Sequence, residues 1–313
     1  MMRVLLANPR GFCAGVNMAI ECVDKVLAVK GPPVYVYHEI VHNRHVVDGF
    51  HGRGVTFVDN IEQIPEGAVV VYSAHGVSPE VRRAARQRRL LEVDATCPLV
   101  TKVHIEVLRY VRDGYTIIFV GHRDHDEAIG TVGEAPGSII VVESAGDVAR
   151  LEVPDPGKLA YVTQTTLSVS DAKIVVDALR ARFPRIRHPE KDDICYATTN
   201  RQMAVTQLVG QAEVVLVIGS RNSSNSQRLV ERAAEASRPA YLIDDASELD
   251  PKWLAGRGSV LVTAGASAPE YLVEQLLERL VSEFDGVVES HTLVEEDMFF
   301  DLPKSARSLA VME

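Results

Sequence analysis

Cysteine and tryptophan are scarce in this chain, with four of the first and one of the second among 313 residues. The cysteines, at positions 13, 22, 97 and 195, are too few and too widely spaced for the dense disulfide framework of a small secreted domain. No apolar run reaches the ~18 residues that a membrane span needs. The start, MMRVLLANPRGF, has one arginine ahead of an apolar stretch that is too short for a secretory signal. A reducing cytoplasm is therefore the expected setting, with thiols that are catalytic, metal-bound or simply reduced. Basic residues are also in deficit, with 33 Lys and Arg against 43 Asp and Glu and a net charge of −10. A general nucleic-acid binder rests on a positive footprint, so that class is excluded. A small anionic ligand is not, because a local pocket can oppose the global field.

What the chain holds in quantity is apolar strand. Hydrophobic residues make up 46% and charged residues 24%, a globular composition. Runs of strand length recur at VLLA (4–7), VYVY (34–37), VVVY (69–72), TIIFV (116–120), SIIVV (138–142), LAYV (159–162), VVLVI (214–218), AYLI (240–243) and SVLV (259–262). Few polar positions interrupt them, which suits parallel strands covered on both faces. Between them the spacing predicts helices near 15–29, 79–90, 98–112, 169–182, 200–211, 226–237 and 269–284. The alternation reads as α/β. The stretch VEEDMFFDLPKSARS (294–308) breaks it and reads as a tail that packs Phe299 and Phe300 on the body or meets a partner. Five arginines (82, 83, 86, 88 and 89) crowd residues 82–89, either as a solvated helix face or as a docking patch for an acidic protein.

Alignment on the cysteines exposes a repeat. Cys13 follows VLLA and the turn NPRGF, Cys97 follows LEVDAT, and Cys195 follows KDDI. Each precedes a helical pattern, so each is expected at a strand-to-helix junction. Cys22 falls inside the first helix and reads as a buried core residue. The intervals of 84 and 98 residues between the three suggest related α/β domains. These would span 1–96 with Cys13, 97–193 with Cys97 and 194–285 with Cys195, followed by a packing tail at 286–313. Polar landmarks keep phase: His42, His125 and Ser223 lie 29, 28 and 28 residues beyond their cysteines. His75, Thr165 and Ser267 lie 62, 68 and 72 beyond.

Open parallel sheets bind ligands beyond the carboxyl ends of their strands, where all nine landmarks are expected. Three thiolates and six polar groups would then face one cavity, with helix N-termini favouring an anion. Three thiolates suit an iron–sulfur cluster or zinc. A [4Fe–4S] cluster normally takes four cysteines, so three would leave one iron open to a substrate oxygen. The hydroxyls and amide of GSRNSSNSQRL (219–229), just before a helix, form a candidate anion cradle. Glu127, two residues past His125, is a candidate proton donor if burial raises its pKa. His38, His45, His51, His104, His122, His188 and His291 read as structural.

Taken together, ANPRGFCAGV, HEIVHNRHVV, SAHGVS, DATCPLVTKVH, TQTTLS, KDDICYATTNRQ, GSRNSSNS and TAGASAP resemble the family of 4-hydroxy-3-methylbut-2-enyl diphosphate reductases, also called IspH or LytB. The resemblance runs from residue 3 to about residue 303. It implies three α/β domains with parallel sheets in a trefoil around a [4Fe–4S] cluster, one per chain, ligated by Cys13, Cys97 and Cys195. It implies that His42, His75, Ser223, Ser224, Asn225 and Ser267 hold a diphosphate, with His125, Glu127 and Thr165 orienting the substrate alcohol and delivering protons. The implied reaction is reductive dehydroxylation at the end of the non-mevalonate isoprenoid pathway, with ferredoxin or flavodoxin as reductant.

One stretch departs from the family pattern: HDEAIGT (125–131) stands where HPEVEGT is common. Asp126 replaces Pro and Ile129 replaces Glu, and Asn17 stands where an acid is usual. The charge of Asp126 is expected to raise the pKa of Glu127. Two other readings of the residues are a zinc-dependent hydrolase with an activated water and a non-catalytic iron–sulfur redox sensor.

Overall fold

The computed structural model describes residues 1–311. In chain order the elements are β1 (Met2–Asn8), α1 (Ala14–Lys30), β2 (Val34–Tyr37), α2 (Arg44–His51), β3 (Val55–Val58), β4 (Val69–Tyr72), α3 (Pro79–Gln87), β5 (Leu91–Asp94) and α4 (Pro98–Arg112). They continue as β6 (Thr116–Val120), α5 (Asp126–Glu134), β7 (Ile139–Val142), α6 (Ala145–Arg150), β8 (Leu159–Thr163), α7 (Val169–Arg182) and α8 (Tyr196–Leu208). The last third holds β9 (Val214–Ile218), α9 (Ser224–Glu235), β10 (Ala240–Ile243), β11 (Ser259–Ala264), α10 (Glu270–Phe284), β12 (Gly286–Thr292) and α11 (Lys304–Arg307). The fold is α/β, and every strand pairing is parallel.

Two compact units emerge. The first joins Met1–Val16, His42–Gly49 and Tyr196–Phe299. Its single sheet has the order β10-β9-β11-β1-β12. Strand residues alternate between its faces: Val4, Leu216 and Val262 pack with Leu272, Leu276 and Leu280 of α10, while Leu5, Val215 and Leu261 pack with α8 and α9. Burying each such side chain contributes about 1.5–3 kcal/mol, which is why the apolar runs are continuous.

The second unit joins Asn17–Val41, Phe50–Cys195 and the chain from Phe300 on. It holds the sheets β3-β2-β4-β5 and β7-β6-β8. In the latter, Ile118 and Tyr161 pack with Val175 and Leu179 of α7, and Ile117 and Phe119 pack with Val103 and Val107 of α4 on the other face.

Apart from β12, the three sheets follow one strand order. Each has a central adjacent pair, β2 and β4, β6 and β8, or β9 and β11. An outer strand lies beside the first of each pair, and a strand leading to a cysteine lies beside the second. That fourth strand is β5 before Cys97 and β1 before Cys13. Before Cys195 it shrinks to one bridge, Arg187 against Ala160 of β8. Cys195 thus follows a loop, not the strand expected from KDDI. The acidic run Lys191–Asp193 offers no apolar side chains for a sheet face.

All nine apolar runs form strands close to the expected bounds. The strand expected from LEVDAT before Cys97 is β5; missing from the expectation are β3 and β12, which are short or carry polar, partly exposed residues, and the short helices α2, α5, α6 and α11. The stretch beyond 286 opens with β12, at the edge beside β1. Further on, Ala306 and Leu309 are buried, but Phe299 is 69% exposed, so the expected packing of Phe299 does not occur. The arginine stretch is not one solvated helix face. Arg82 pairs with Asp94 at 2.6 Å, Arg86 with Glu92 at 3.1 Å, and Arg88 donates to Ile64 O. Arg83, Arg86 and Arg89 are exposed, and Arg88 and Arg89 lie beyond the end of α3. No described helix is long and apolar enough to cross a membrane.

Candidate active site

In the first unit, the loops after β9 and β11 form a polar cradle. Ser223 lies five residues past the end of β9 and is the N-cap of α9; its Oγ accepts the Ser226 N–H at 3.3 Å. The Ser226 hydroxyl also donates to Ser223 Oγ at 3.0 Å. Two glycines make room for Ser226. A Cβ on Gly219 or Gly265 would lie 2.2 or 2.0 Å from Ser226 Oγ, so the backbone after both strands presses directly on that hydroxyl. Asn225 ties the second loop to the helix. Its Oδ1 accepts the Ala266 N–H at 2.8 Å, and its Nδ2 donates to Thr198 Oγ1 at 3.1 Å. Ser267 Oγ donates to the carbonyl of His42 at 2.8 Å and lies 3.4 Å from Ser223 Oγ. Cys13 belongs here too, its N–H donating to Ala266 O at 3.2 Å. Ser223, Asn225, Ser267, His42 and Cys13 are thereby brought together, with Ser224 opening the first turn of α9. Hydroxyls, an amide and a helix N-terminus suit an anion without a lysine or arginine.

In the second unit, Glu127 stands in the first turn of α5 and is only 1% exposed. Both carboxyl oxygens meet Thr165, two residues past the end of β8: Oε1 accepts its N–H at 2.7 Å and Oε2 its hydroxyl at 2.8 Å. Burial, opposed by these two bonds and reinforced by the charge of Asp193, pushes the carboxyl up to about 7. A group poised there can hold a proton at neutral pH and give it up. His125 is the N-cap of α5, and its Nδ1 accepts the Glu127 N–H at 3.1 Å. An accepting Nδ1 leaves Nε2 as the ring's N–H donor. The ring of His75, three residues past β4, meets that of His125 edge-on at 5.9 Å between centroids.

The effect expected of Asp126 is not met. Its carboxylate lies 2.7 Å from His38 Nδ1 and holds that imidazole above its usual range, so each offsets the other's charge. The acid whose charge acts on Glu127 is Asp193.

Among the described residues, no cysteine is in a disulfide. Cys13, Cys97 and Cys195 are partly exposed, and each directly precedes the first residue of a helix, α1, α4 and α8. The Cys97 N–H donates to Ala74 O at 3.0 Å and the Cys195 N–H to Thr165 O at 3.0 Å. The second contact sets Cys195 beside the residue that grips Glu127. Cys22 is fully buried, its thiol pushed up to about 12 by burial, as a core residue should be. His45 and His104 also fill structural roles, paired with Asp245 and Glu134 at 2.9 Å each. Ser226, Thr198 and Asp193 were not foreseen; the signal for Ser226 was the pair of glycines at the ends of VVLVI and SVLVTA.

A family model described as LytB protein matches residues 4–281. The chain is 55% identical over 309 residues to the 4-hydroxy-3-methylbut-2-enyl diphosphate reductase of Rhodopirellula baltica, covering 99% of this chain and 97% of that one. It is 56% identical over 315 residues to the protein of the same name from Hahella chejuensis, covering 99% of each. Among solved structures, the E-1-hydroxy-2-methyl-but-2-enyl-4-diphosphate reductase of Plasmodium falciparum aligns with a TM-score of 0.97 at 38% identity, over 99% of this chain and 98% of that one. Another, (E)-4-hydroxy-3-methyl-but-2-enyl diphosphate reductase, aligns with a TM-score of 0.63 at 33% identity, over 90% and 99%. Agreement of this extent, in sequence and fold alike, means that the chain belongs to the LytB family.

Proposed function

We propose that the chain catalyses the reductive removal of the hydroxyl of (E)-4-hydroxy-3-methylbut-2-enyl diphosphate, giving isopentenyl and dimethylallyl diphosphate at the end of the non-mevalonate isoprenoid pathway. The observation that carries this reading is Glu127, a buried carboxyl gripped at both oxygens by Thr165 and pushed up to about 7. A solvated surface acid has neither property, whereas an acid that must protonate a departing hydroxyl at neutral pH needs both.

The donor set fits an iron–sulfur cluster: three soft sulfurs outside any disulfide, each at the positive end of a helix dipole. Cys13, Cys97 and Cys195 would hold one [4Fe–4S] cluster. When bound, such a cluster supplies electrons and a Lewis-acidic iron. Ser223, Ser224, Asn225, Ser267, His42 and His75 hold the diphosphate through hydroxyl, amide, imidazole and backbone donors. His125 donates from Nε2 to the substrate alcohol, and Thr165 carries the Glu127 proton toward the same oxygen. Breaking the carbon–oxygen bond consumes two electrons; the hydroxyl takes the Glu127 proton and leaves as water, and a second proton completes the allylic fragment at either end. The electrons come from a reduced ferredoxin or flavodoxin in a reducing cytoplasm.

An anaerobic assay of the reconstituted chain tests this, with the hydroxylated diphosphate, a chemical reductant and mass detection of both products. Wild type should be brown, bind about four irons and yield both products. Glu127→Gln should keep the cluster absorbance and lose turnover by about a hundredfold or more. Colourless protein with one zinc, or a glutamine variant that turns over like wild type, overturns the reading.

A further inference from the structure

Lys102 lies in the second turn of α4, the helix whose N-cap is Cys97. Its ammonium reaches the segment before Cys195 and donates three hydrogen bonds there: to Lys191 O at 2.8 Å, Asp192 O at 3.2 Å and Asp193 Oδ1 at 3.0 Å. The Asp193 side chain is fully buried. Its second oxygen, Oδ2, accepts the backbone N–H of Thr163, the last residue of β8, at 2.9 Å. Glu106, one turn beyond Lys102 on α4, brings its Oε1 to 3.9 Å from the same ammonium. The loop is therefore pinned at both ends of one carboxylate, to α4 through Lys102 and to β8 through Thr163.

Two residues past Asp193, Cys195 continues the same path, its N–H bonded to Thr165 O. Within this unit, the start of α4, the Cys195 loop and the threonine that grips Glu127 are tied through one lysine and one aspartate. A surface lysine would leave its ammonium to water. This one satisfies two loop carbonyls and a buried anion, groups that are costly to leave unpaired.

We propose that Lys102, acting through Asp193, is a positioning residue that holds the Cys195 loop against the helix begun by Cys97 and keeps both sulfurs set for ligation. The redox side of this inference rests on the cluster assignment above; the pinning of the loop does not. Lys102 touches no reacting atom. Its removal should release Cys195 selectively, whereas a general loss of packing would expose every thiol together.

The test compares wild type with Lys102→Met, which keeps length and loses the donors, and Lys102→Arg, which keeps charge and donors. In the metal-free full chain, alkylation of each cysteine is timed by peptide mass spectrometry. The methionine variant should alkylate Cys195 about tenfold faster through local opening. Cys13 should be unchanged, and arginine should restore most of the protection. In the reconstituted protein, the methionine variant should lose iron to a chelator about fivefold faster and show an altered electron-resonance signal of the reduced cluster. Equal Cys195 rates in wild type and the methionine variant, or a matching rise at Cys13, overturn the proposal. If the methionine variant does not fold, Lys102→Gln carries the same comparison, since it lacks the charge and keeps a donor. A wild-type protein that takes up no cluster overturns the functional reading instead, and the thiol rates still decide the role of Lys102.

Discussion

Glu127→Gln should make the protein more heat-stable relative to wild type as the pH rises. The Glu127 carboxyl moves from an ordinary 4.5 to about 7 on folding, mainly through burial. That difference corresponds to about 3 kcal/mol. Between those two pH values the folded chain keeps a proton that the unfolded chain releases. The stabilisation from holding it is fully present below about 4.5 and is lost as the pH climbs through about 7. Glutamine has the same shape and no charge to bury. Its amide oxygen can accept the Thr165 N–H, and its NH2 can donate to the Thr165 hydroxyl. Melting temperatures of both metal-free proteins, measured from pH 5 to pH 8, should diverge by about 5 °C in favour of the variant at the alkaline end. Wild-type turnover should meanwhile fall about tenfold per pH unit well above pH 7, as the acid form is depleted. Melting curves that run parallel across the window, or turnover flat to pH 9, would refute the placement of the proton on Glu127.

Gly265→Ala should lower stability by about 1–3 kcal/mol in denaturant titration, because its methyl group would collide with the Ser226 hydroxyl. Ser223→Ala removes the cap of α9 and should cost about 1 kcal/mol of stability. The same variant should raise the KM for the diphosphate about tenfold, since a hydrogen bond to a charged group is lost. Asp126→Asn should leave the alkaline limb of the pH–rate profile unmoved, because His38 already offsets that carboxylate. A limb shifted by a full pH unit would restore Asp126 as a tuning charge.

The strands were legible because parallel strands buried on both faces leave an unbroken apolar signature, as in VVLVI and TIIFV. The signal fails where a strand lies at an edge or is half exposed. VTFV and GVVESHT mix polar and apolar positions, so they resemble loops until their partners are known. α5 was hidden for a different reason: its nine residues include Gly130 and Gly133, which lower helix propensity. The acid and the cradle were legible from residue type and phase at His125, Glu127, Thr165, Ser223 and Ser267. Asp193 and Lys102 were not, because an aspartate in KDD and a lysine on a helix normally face water. Only the tertiary fold buries one and turns the other inward. The misjudged role of Asp126 has the same origin, since neighbours in sequence need not be electrostatic neighbours once His38 intervenes.

The place of β1 has a consequence for biosynthesis. This first strand is not at the margin of its sheet: Val4 pairs with Val260 of β11 on one side and with Val288 of β12 on the other. Both partners lie more than 250 residues further along, so VLLA must wait with its peptide groups unmatched on both flanks until that stretch has been translated. The other two sheets join strands much closer in sequence and can assemble earlier. The sheet that bears Cys13 and the cradle is then the last of the three to close, and β1 is among the last strands to leave water. A chaperone that shields β1 as it emerges should therefore raise the yield of folded protein more than one acting after synthesis.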